Sequence, residues 1–509
     1  MNIIPKPNCV EESDSKFVLD SKTTIKFDTV AMNAVQLLQE TVKQSTGFEL
    51  KEDDQAESNF IEFVVTCNGK MEDEEYILSI VSDSIVIIAK TYRGFIWGVQ
   101  SLLQHFGEDI YSAKKIEKEW AVKYLVVNDK PRFPWRGAML DVARHMTSLD
   151  NIKRLIDLLS MHKLNTLHLH LTDDQGWRVE IKKYPALTNI GAYRKKTLIT
   201  HDERFIKRYE NESYGGYYSQ ESLKDLVAYA TKMGVTIVPE VDMPGHMQAA
   251  IASYPEFGCT NKKVETRTTW GISKDILTVN EITLNFVKDV LDEIMEIFPG
   301  RYIHIGGDEA LKNHWKKSKE VQMKMADLGI TNEENLQAWF MKQVVEHLNK
   351  NGRQALGWDE IMESNMDEGI TITSWRNEKG GIEAVNRGLK AVMTPMQYTY
   401  FDHYQKDPKK EERLCIGGFT TLEKVYHYEP IPKDIPKGKE DQILGTQGQL
   451  WTEYIRSFNE ATYMYFPRLI ALAEVAWTQR YQMDFDDFKK RLEIMKKIFN
   501  VKGIVYCGD

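Results

Sequence analysis

The residues that most invite chemistry are His304-Ile305-Gly306-Gly307-Asp308-Glu309-Ala310. They follow the apolar-leaning pair Tyr302-Ile303, so they read as the end of a short buried strand. Two glycines let the backbone turn sharply and bring a ligand close. Two adjacent carboxylates come next, with His304 four residues upstream of Asp308. Acidic groups where a strand becomes a loop suit acid/base work on a rigid support. Asp-Glu also suits the first turn of a helix, where the dipole favours negative charge. These seven residues alone do not choose between the two.

Similar groupings recur along the chain, each just after an apolar run. They are Asp141, Arg144 and His145; His168, His170, Asp173 and Asp174; and Glu240, Asp242 and His246, with Pro244-Gly245 forcing a turn. Further on come Trp358, Asp359 and Glu360; Trp375 and Arg376; Tyr398, Tyr400 and Asp402; and Gln449, Trp451 and Glu453. Indole faces stack on the C–H faces of pyranose rings, while carboxylates and guanidinium groups take the hydroxyls. Hydrolysis of a glycosidic bond needs a protonated carboxyl to assist the leaving oxygen. The set describes a sugar site.

The elements that must position these groups are eight strand candidates: 136–141, 166–171, 235–241, 302–305, 354–357, 370–374, 389–393 and 443–446. Amphipathic helical stretches at 149–161, 219–233, 282–298, 335–351 and 381–387 lie between most of them. Short buried strands alternating with helices predict a (β/α)₈ barrel, in which the strand ends face the active site. A doubly wound open sheet is the alternative, and no Gly-rich dinucleotide loop supports it.

A chain of 509 residues predicts two or three domains. Before the barrel, 60–65 is β-rich and 75–88 reads as a hairpin split at Ser82-Asp83, with helices expected over 31–44 and 94–106. This is a small α+β scaffold, followed by a Lys- and Asp-rich linker that ends in Asn128–Pro134. The expected division is an α+β domain over 1–127 and a barrel domain with C-terminal helices over 128–509. A net charge of −9 and a pI near 5.9 argue against nucleic acid as a partner. Five scattered cysteines with no C-x-x-C spacing favour a reducing compartment. No apolar run approaches the roughly 20 residues of a membrane span, and Met1–Pro7 lacks the apolar core of a secretory signal. A cytoplasmic enzyme is the expectation.

The chain resembles the family 20 glycoside hydrolases, the β-N-acetylhexosaminidases, over most of its length. The motifs are Arg136-Gly137-x-x-x-Asp141-x-x-Arg144-His145, His170-x-x-Asp173-Asp174-Gln175-Gly176-Trp177-Arg178 and Pro239-Glu240-x-Asp242-x-Pro244-Gly245-His246. His304-x-Gly306-Gly307-Asp308-Glu309, Trp451-x-Glu453 and Pro467-Arg468 complete them.

The resemblance implies exo-acting removal of terminal, β-linked N-acetylglucosamine or N-acetylgalactosamine from an oligosaccharide or glycoconjugate. The mechanism it implies is retaining, with the 2-acetamido oxygen of the substrate as nucleophile, an exception to the two-carboxylate scheme. Glu309 is then the acid/base, Asp308 the partner of the acetamido N–H, and Asp173 and His246 a supporting pair. Arg144, Trp358, Trp375, Tyr400, Asp402, Trp451 and Glu453 are the implied substrate contacts. No cofactor and no metal are implied.

Two rivals carry sequence support. His168-Leu169-His170 puts two imidazoles on one strand face, a pattern that holds a divalent metal in amidohydrolases. A silent sugar-binding barrel is the other, although it would be expected to have lost Asp308 or Glu309. Gluco- against galacto-specificity, disaccharide release by a lacto-N-biosidase, the natural glycan, and monomer against homodimer all stay open. The long segments 185–218 and 403–439 are expected to shape the choice of glycan as loops over the strand ends.

Overall fold

The computed structural model describes residues 2–67, 69–202, 205–364, 366, 368–411 and 413–508. The first part of the chain is a seven-stranded mixed sheet. Its spatial order is Cys9–Leu19, Trp120–Asp129, Tyr76–Ile80, Ser84–Ala89, Phe60–Val65, Thr24–Phe27, Lys51–Glu52. The hairpin forms as expected, with Ile80 opposite Ile85. Helices Met32–Thr46 and Tyr92–Phe106 bury their apolar sides in the same core.

The expected linker is wrong over its first half. Trp120–Asp129 is a strand paired with both Cys9–Leu19 and Tyr76–Ile80. Its buried side carries Trp120, Val122, Leu125 and Val127, while Lys123 and Asn128 point to solvent. The polar residues that suggested a linker are thus the wet face of a half-buried strand. Asp129, at its end, is fully buried. It accepts from Tyr76 Oη (2.7 Å), Trp477 Nε1 (2.9 Å) and Lys163 Nζ (3.0 Å), which ties the sheet to the barrel and to the helix Arg468–Trp477 that follows the eighth strand.

The barrel closes as eight parallel strands. In chain order they are Trp135–Asp141, Thr166–His170, Thr236–Glu240, Tyr302–His304, Gln354–Trp358, Ile370–Ser374, Ala391–Met393 and Ile443–Leu450. The eighth runs four residues beyond its expected end, and the seventh begins two residues late. Crossover helices Leu149–Met161, Gln220–Lys232, Glu281–Ile297 and Glu333–Lys350 each start after a Ser or Asn cap: Ser148, Ser219, Asn280 and Asn332. Each cap side chain accepts a peptide N–H from the first turn, which fixes where the helix begins. Register carries the chemistry: Asp141 lies beside His170, His170 beside Glu240, and Glu240 beside His304. Among the described residues, no helix is long and apolar enough to cross a membrane.

Candidate active site

The carboxyl ends of the strands open into a cavity of about 330 Å³. All eleven candidate residues line it: Arg144, Asp173, His246, Asp308, Glu309, Trp358, Trp375, Tyr400, Asp402, Trp451 and Glu453. After His304 the backbone turns through two glycines with φ of 64° and 101°. A Cβ on Gly306 would sit 1.6 Å from Asp242 Oδ1, so no side chain fits there. Asp308 and Glu309 follow in the loop, and the next helix begins only at Asn313. The pair therefore does not open a helix. Glu309 itself has φ of 48°, a left-handed conformation that a non-glycine residue adopts only when its surroundings hold it there.

Behind the two carboxylates stands His246. Its Nε2 lies 3.5 Å from Glu309 Oε2 and 3.6 Å from Asp308 Oδ2, while its Nδ1 is 3.2 Å from Asp173 Oδ1. Asp173 Oδ2 in turn meets His170 Nε2 at 2.9 Å, and His170 Nδ1 meets Glu240 Oε2 at 2.6 Å. The result is a buried chain of alternating acids and imidazoles running from Glu309 to the barrel interior.

Burial disfavours a charged His246. The carboxylates of Asp173 and Asp242 outweigh it and hold the imidazolium well above its ordinary range. Burial also opposes the charge on His170, but Glu240 and Asp173 on either side lift it to about 10. Asp173 is held well below the usual carboxylate range: burial pushes it up, and Arg144 and His246 more than reverse that. Asp308 goes the other way, to about 7. Only 8% exposed, it is raised by burial and by the charges of Glu309, Glu360 and Glu240, with His246 opposing.

Arg144 is held rigidly. Its Nε donates to Gln175 Oε1 (3.0 Å), its Nη1 to Asp141 Oδ2 (3.3 Å), and its Nη2 lies 2.7 Å from Asp173 Oδ2. Its guanidinium also lies 5.1 Å from the centre of the Trp451 ring. Trp358 is fixed by its indole N–H, which donates to Glu240 Oε1 (2.9 Å). Trp375 and Tyr400 stack at 6.2 Å, and Trp451 packs against Trp358 at 6.1 Å. Tyr400 and Asp402 lie just past the seventh strand, with Tyr400 bridged to Gln449. Burial, then the charge of Glu453, pushes the carboxyl of Asp402 well above its ordinary range. Buried polar atoms of Asp308, Trp375, Asp402 and Glu453 that line this cavity have no hydrogen-bond partner among the described residues. Such groups are uncommon away from binding sites.

Asp242, a strand-end acid of the Pro239–His246 motif, has no role that the sequence assigns. It lines the cavity, and its Oδ1 accepts the Gly307 N–H (3.1 Å), which pins the acidic loop. Met396, His403 and the Ile416–Gly418 loop complete the wall; His403 and 416–418 belong to the segment 403–439 expected over the strand ends, while no residue-type signal points to Met396. Glu240 was read only as a strand-end acid. It lies within 3.0 Å of nitrogens from His168, His170, His304 and Trp358.

His168, Glu240 and His304 come close enough together to suggest a metal, as do two groupings around His246. The carboxylate of Glu240 is taken up by the contacts just given, and His168 Nδ1 accepts from Gln447 Nε2 (3.0 Å). Hydrogen bonding accounts for the paired histidines on the second strand.

An acid-lined, indole-walled cavity at the carboxyl end of a closed parallel barrel lies where barrel enzymes carry their active sites. A model described as the catalytic domain of glycosyl hydrolase family 20 matches residues 133–480, and one for domain 2 of the same family matches 1–130. The chain belongs to glycosyl hydrolase family 20. It is 38% identical over 511 residues to a β-hexosaminidase of Porphyromonas gingivalis, a match that takes in 99% of the chain but 64% of that longer relative. It is 33% identical to a β-hexosaminidase of Vibrio furnissii, over 93% of the chain and 76% of the relative. Among solved structures, the family 20 β-N-acetylhexosaminidase of Streptomyces coelicolor superposes with a TM-score of 0.87 at 29% identity, covering 100% of this chain and 97% of that one. A mutant Streptomyces plicatus β-hexosaminidase in complex with its product GlcNAc gives 0.87 at 28% identity, covering 100% and 96%.

Proposed function

We propose that the chain is an exo-acting β-N-acetylhexosaminidase that removes terminal, non-reducing N-acetylglucosamine or N-acetylgalactosamine by a retaining, substrate-assisted mechanism. The observation that carries this reading is the placement of the two carboxylates. Asp308 and Glu309 are consecutive and face the same imidazole nitrogen at 3.6 and 3.5 Å. A retaining pair of acid and nucleophile stands on either side of the bond, roughly 5–5.5 Å apart. Neighbours on one loop suit an acid beside a clamp, with the nucleophile supplied by the substrate.

In this reading Glu309, whose side chain is 32% exposed at the cavity mouth, gives its proton to the glycosidic oxygen while the acetamido oxygen attacks C1 from the opposite face. The leaving sugar departs and a cyclic oxazolinium remains. Asp308 accepts the acetamido N–H and stabilises the positive charge that develops there. Its raised proton affinity in the free site fits a group whose charge is needed only when that cation forms. Glu309 then takes a proton from water as the water opens the oxazolinium at C1, and two inversions give retention.

Arg144 takes the 3- and 4-hydroxyls, Glu453 the 4- and 6-hydroxyl region, and Asp402 the 6-hydroxyl side. Tyr400 donates to the acetamido oxygen, and Trp358, Trp375 and Trp451 wall the pocket. Asp173 holds His246, which helps set the protonation of Glu309 through the hydrogen-bond chain. The substrates are oligosaccharides or glycoconjugates with a terminal β-linked N-acetylhexosamine.

A panel of 4-nitrophenyl N-acetyl-β-glucosaminide, the galactosaminide and lacto-N-bioside tests the reading, with product anomer followed by NMR. Release of the monosaccharide as the β-anomer is expected. Turnover of lacto-N-bioside alone, or an α-anomer first product, would overturn it.

A further inference from the structure

Glu309 needs something to hold its strained backbone, and the groups that hold the acidic loop can be named one by one. Gly306 O accepts the Trp358 peptide N–H (2.9 Å), Gly307 N–H goes to Asp242, and Gln337 Nε2 donates to Gly307 O (2.7 Å). The peptide N–H of Glu309 itself donates to Glu360 Oε2 at 3.1 Å. Glu360 sits in the 3₁₀ turn Asp359–Ser364, directly after the fifth strand.

An ordinary surface carboxylate there would pair with Arg376. It does not. Arg376 is taken by Asp359 (3.2 Å) and by Glu363, and among the described residues no cation lies within 4.0 Å of the Glu360 carboxylate. The Glu309 N–H is its one hydrogen-bond partner among those residues. Half-buried, Glu360 has its carboxyl raised by burial, with that N–H and then Arg376 drawing it back.

We propose that Glu360 is a positioning residue for Glu309: by accepting the Glu309 N–H, it holds the left-handed backbone that aims the acid at the glycosidic oxygen. This rests on the hexosaminidase reading above. Without Glu360 the peptide at 309 is free to relax out of the left-handed region, and the acid swings from the leaving oxygen while the sugar pocket stays intact. A misplacement of about 1 Å costs on the order of 100-fold in rate. The loss should depend on how much the leaving group needs a proton, which separates positioning of the acid from general loosening of the site.

The test compares Glu360→Ala and Glu360→Gln with wild type on 4-nitrophenyl N-acetyl-β-glucosaminide and on N,N′-diacetylchitobiose, whose alkoxide leaves poorly without protonation. Glu360→Ala is expected to lower kcat roughly 100-fold on the disaccharide and no more than about tenfold on the nitrophenyl substrate. KM and affinity for free N-acetylglucosamine should stay unchanged. Glu360→Gln, whose amide oxygen still accepts the N–H, is expected to recover activity to within about threefold of wild type.

Equal losses on both substrates, a raised KM, or a Gln variant as impaired as Ala would overturn the proposal. So would wild-type rates in Glu360→Ala, which would leave the hexosaminidase reading standing. Failure of the wild type to cleave either substrate would remove both.

Discussion

Asp308→Asn is expected to stabilise the protein in a pH-dependent way while damaging its catalysis. The carboxyl of Asp308 moves from an ordinary 3.8 to about 7 in the folded chain, chiefly through burial. Below about pH 4 both folded and unfolded chains hold this proton, and Asp308 contributes no difference. Between about pH 4 and pH 7 the unfolded chain gives the proton up while the folded chain keeps it, so stability falls as pH rises. Above about pH 7 the loss is complete.

At about 1.36 kcal/mol per pH unit the ceiling is about 4 kcal/mol. His246 lies against Asp308 and shares the effect, so about 2–4 kcal/mol is the expected range. Asparagine keeps the shape and has nothing to ionise. Unfolding entropy of about 2.1 cal/mol/K per residue makes each kcal/mol worth about 1 °C in a chain this long. The variant should therefore melt ~2–4 °C above wild type at pH 8 and within about 1 °C of it at pH 4.5. Scanning calorimetry of both proteins across that range measures the gap. A gap that does not widen with pH, or a variant that melts below wild type at pH 8, would refute the placement of a strained carboxyl at 308.

Glu309→Gln should lower kcat by roughly 10²–10⁴ while N-acetylglucosamine still binds by titration calorimetry; a near-normal rate would remove its role as the acid. Arg144→Lys gives up a guanidinium that bonds Gln175, Asp141 and Asp173 at once. It should cost about 10- to 100-fold in kcat/KM, mostly as a raised KM, and an unchanged KM would contradict a hydroxyl clamp. Activity is expected to persist in a chelator. Stoichiometric zinc in the purified protein, with activity lost on its removal, would replace the sugar chemistry with metal chemistry at the His168 and Glu240 cluster.

The eight strands were legible because each is a short apolar run closed by a turn, and all eight lie within a few residues of where the pattern put them. The acidic loop was legible for a related reason. Strand ends in a parallel barrel converge, so acids, histidines and tryptophans just after each run had to meet, and the eleven candidates share one cavity. Trp120–Asp129 was not legible as a strand. One face of it is wet, and the partners that make it a strand lie more than 40 residues away in sequence.

The sequence by itself determined the barrel, the identity of the groups at its mouth and the adjacency of Asp308 and Glu309, since local periodicity and residue type suffice for these. Tertiary structure alone decided their state. Burial raises Asp308, the Asp173 and Asp242 carboxylates keep His246 charged, Glu240 gathers three imidazoles and an indole, and Glu360 reaches the Glu309 peptide. Each of these depends on a distance between segments or on exclusion of water, and neither quantity is encoded in any single stretch of chain.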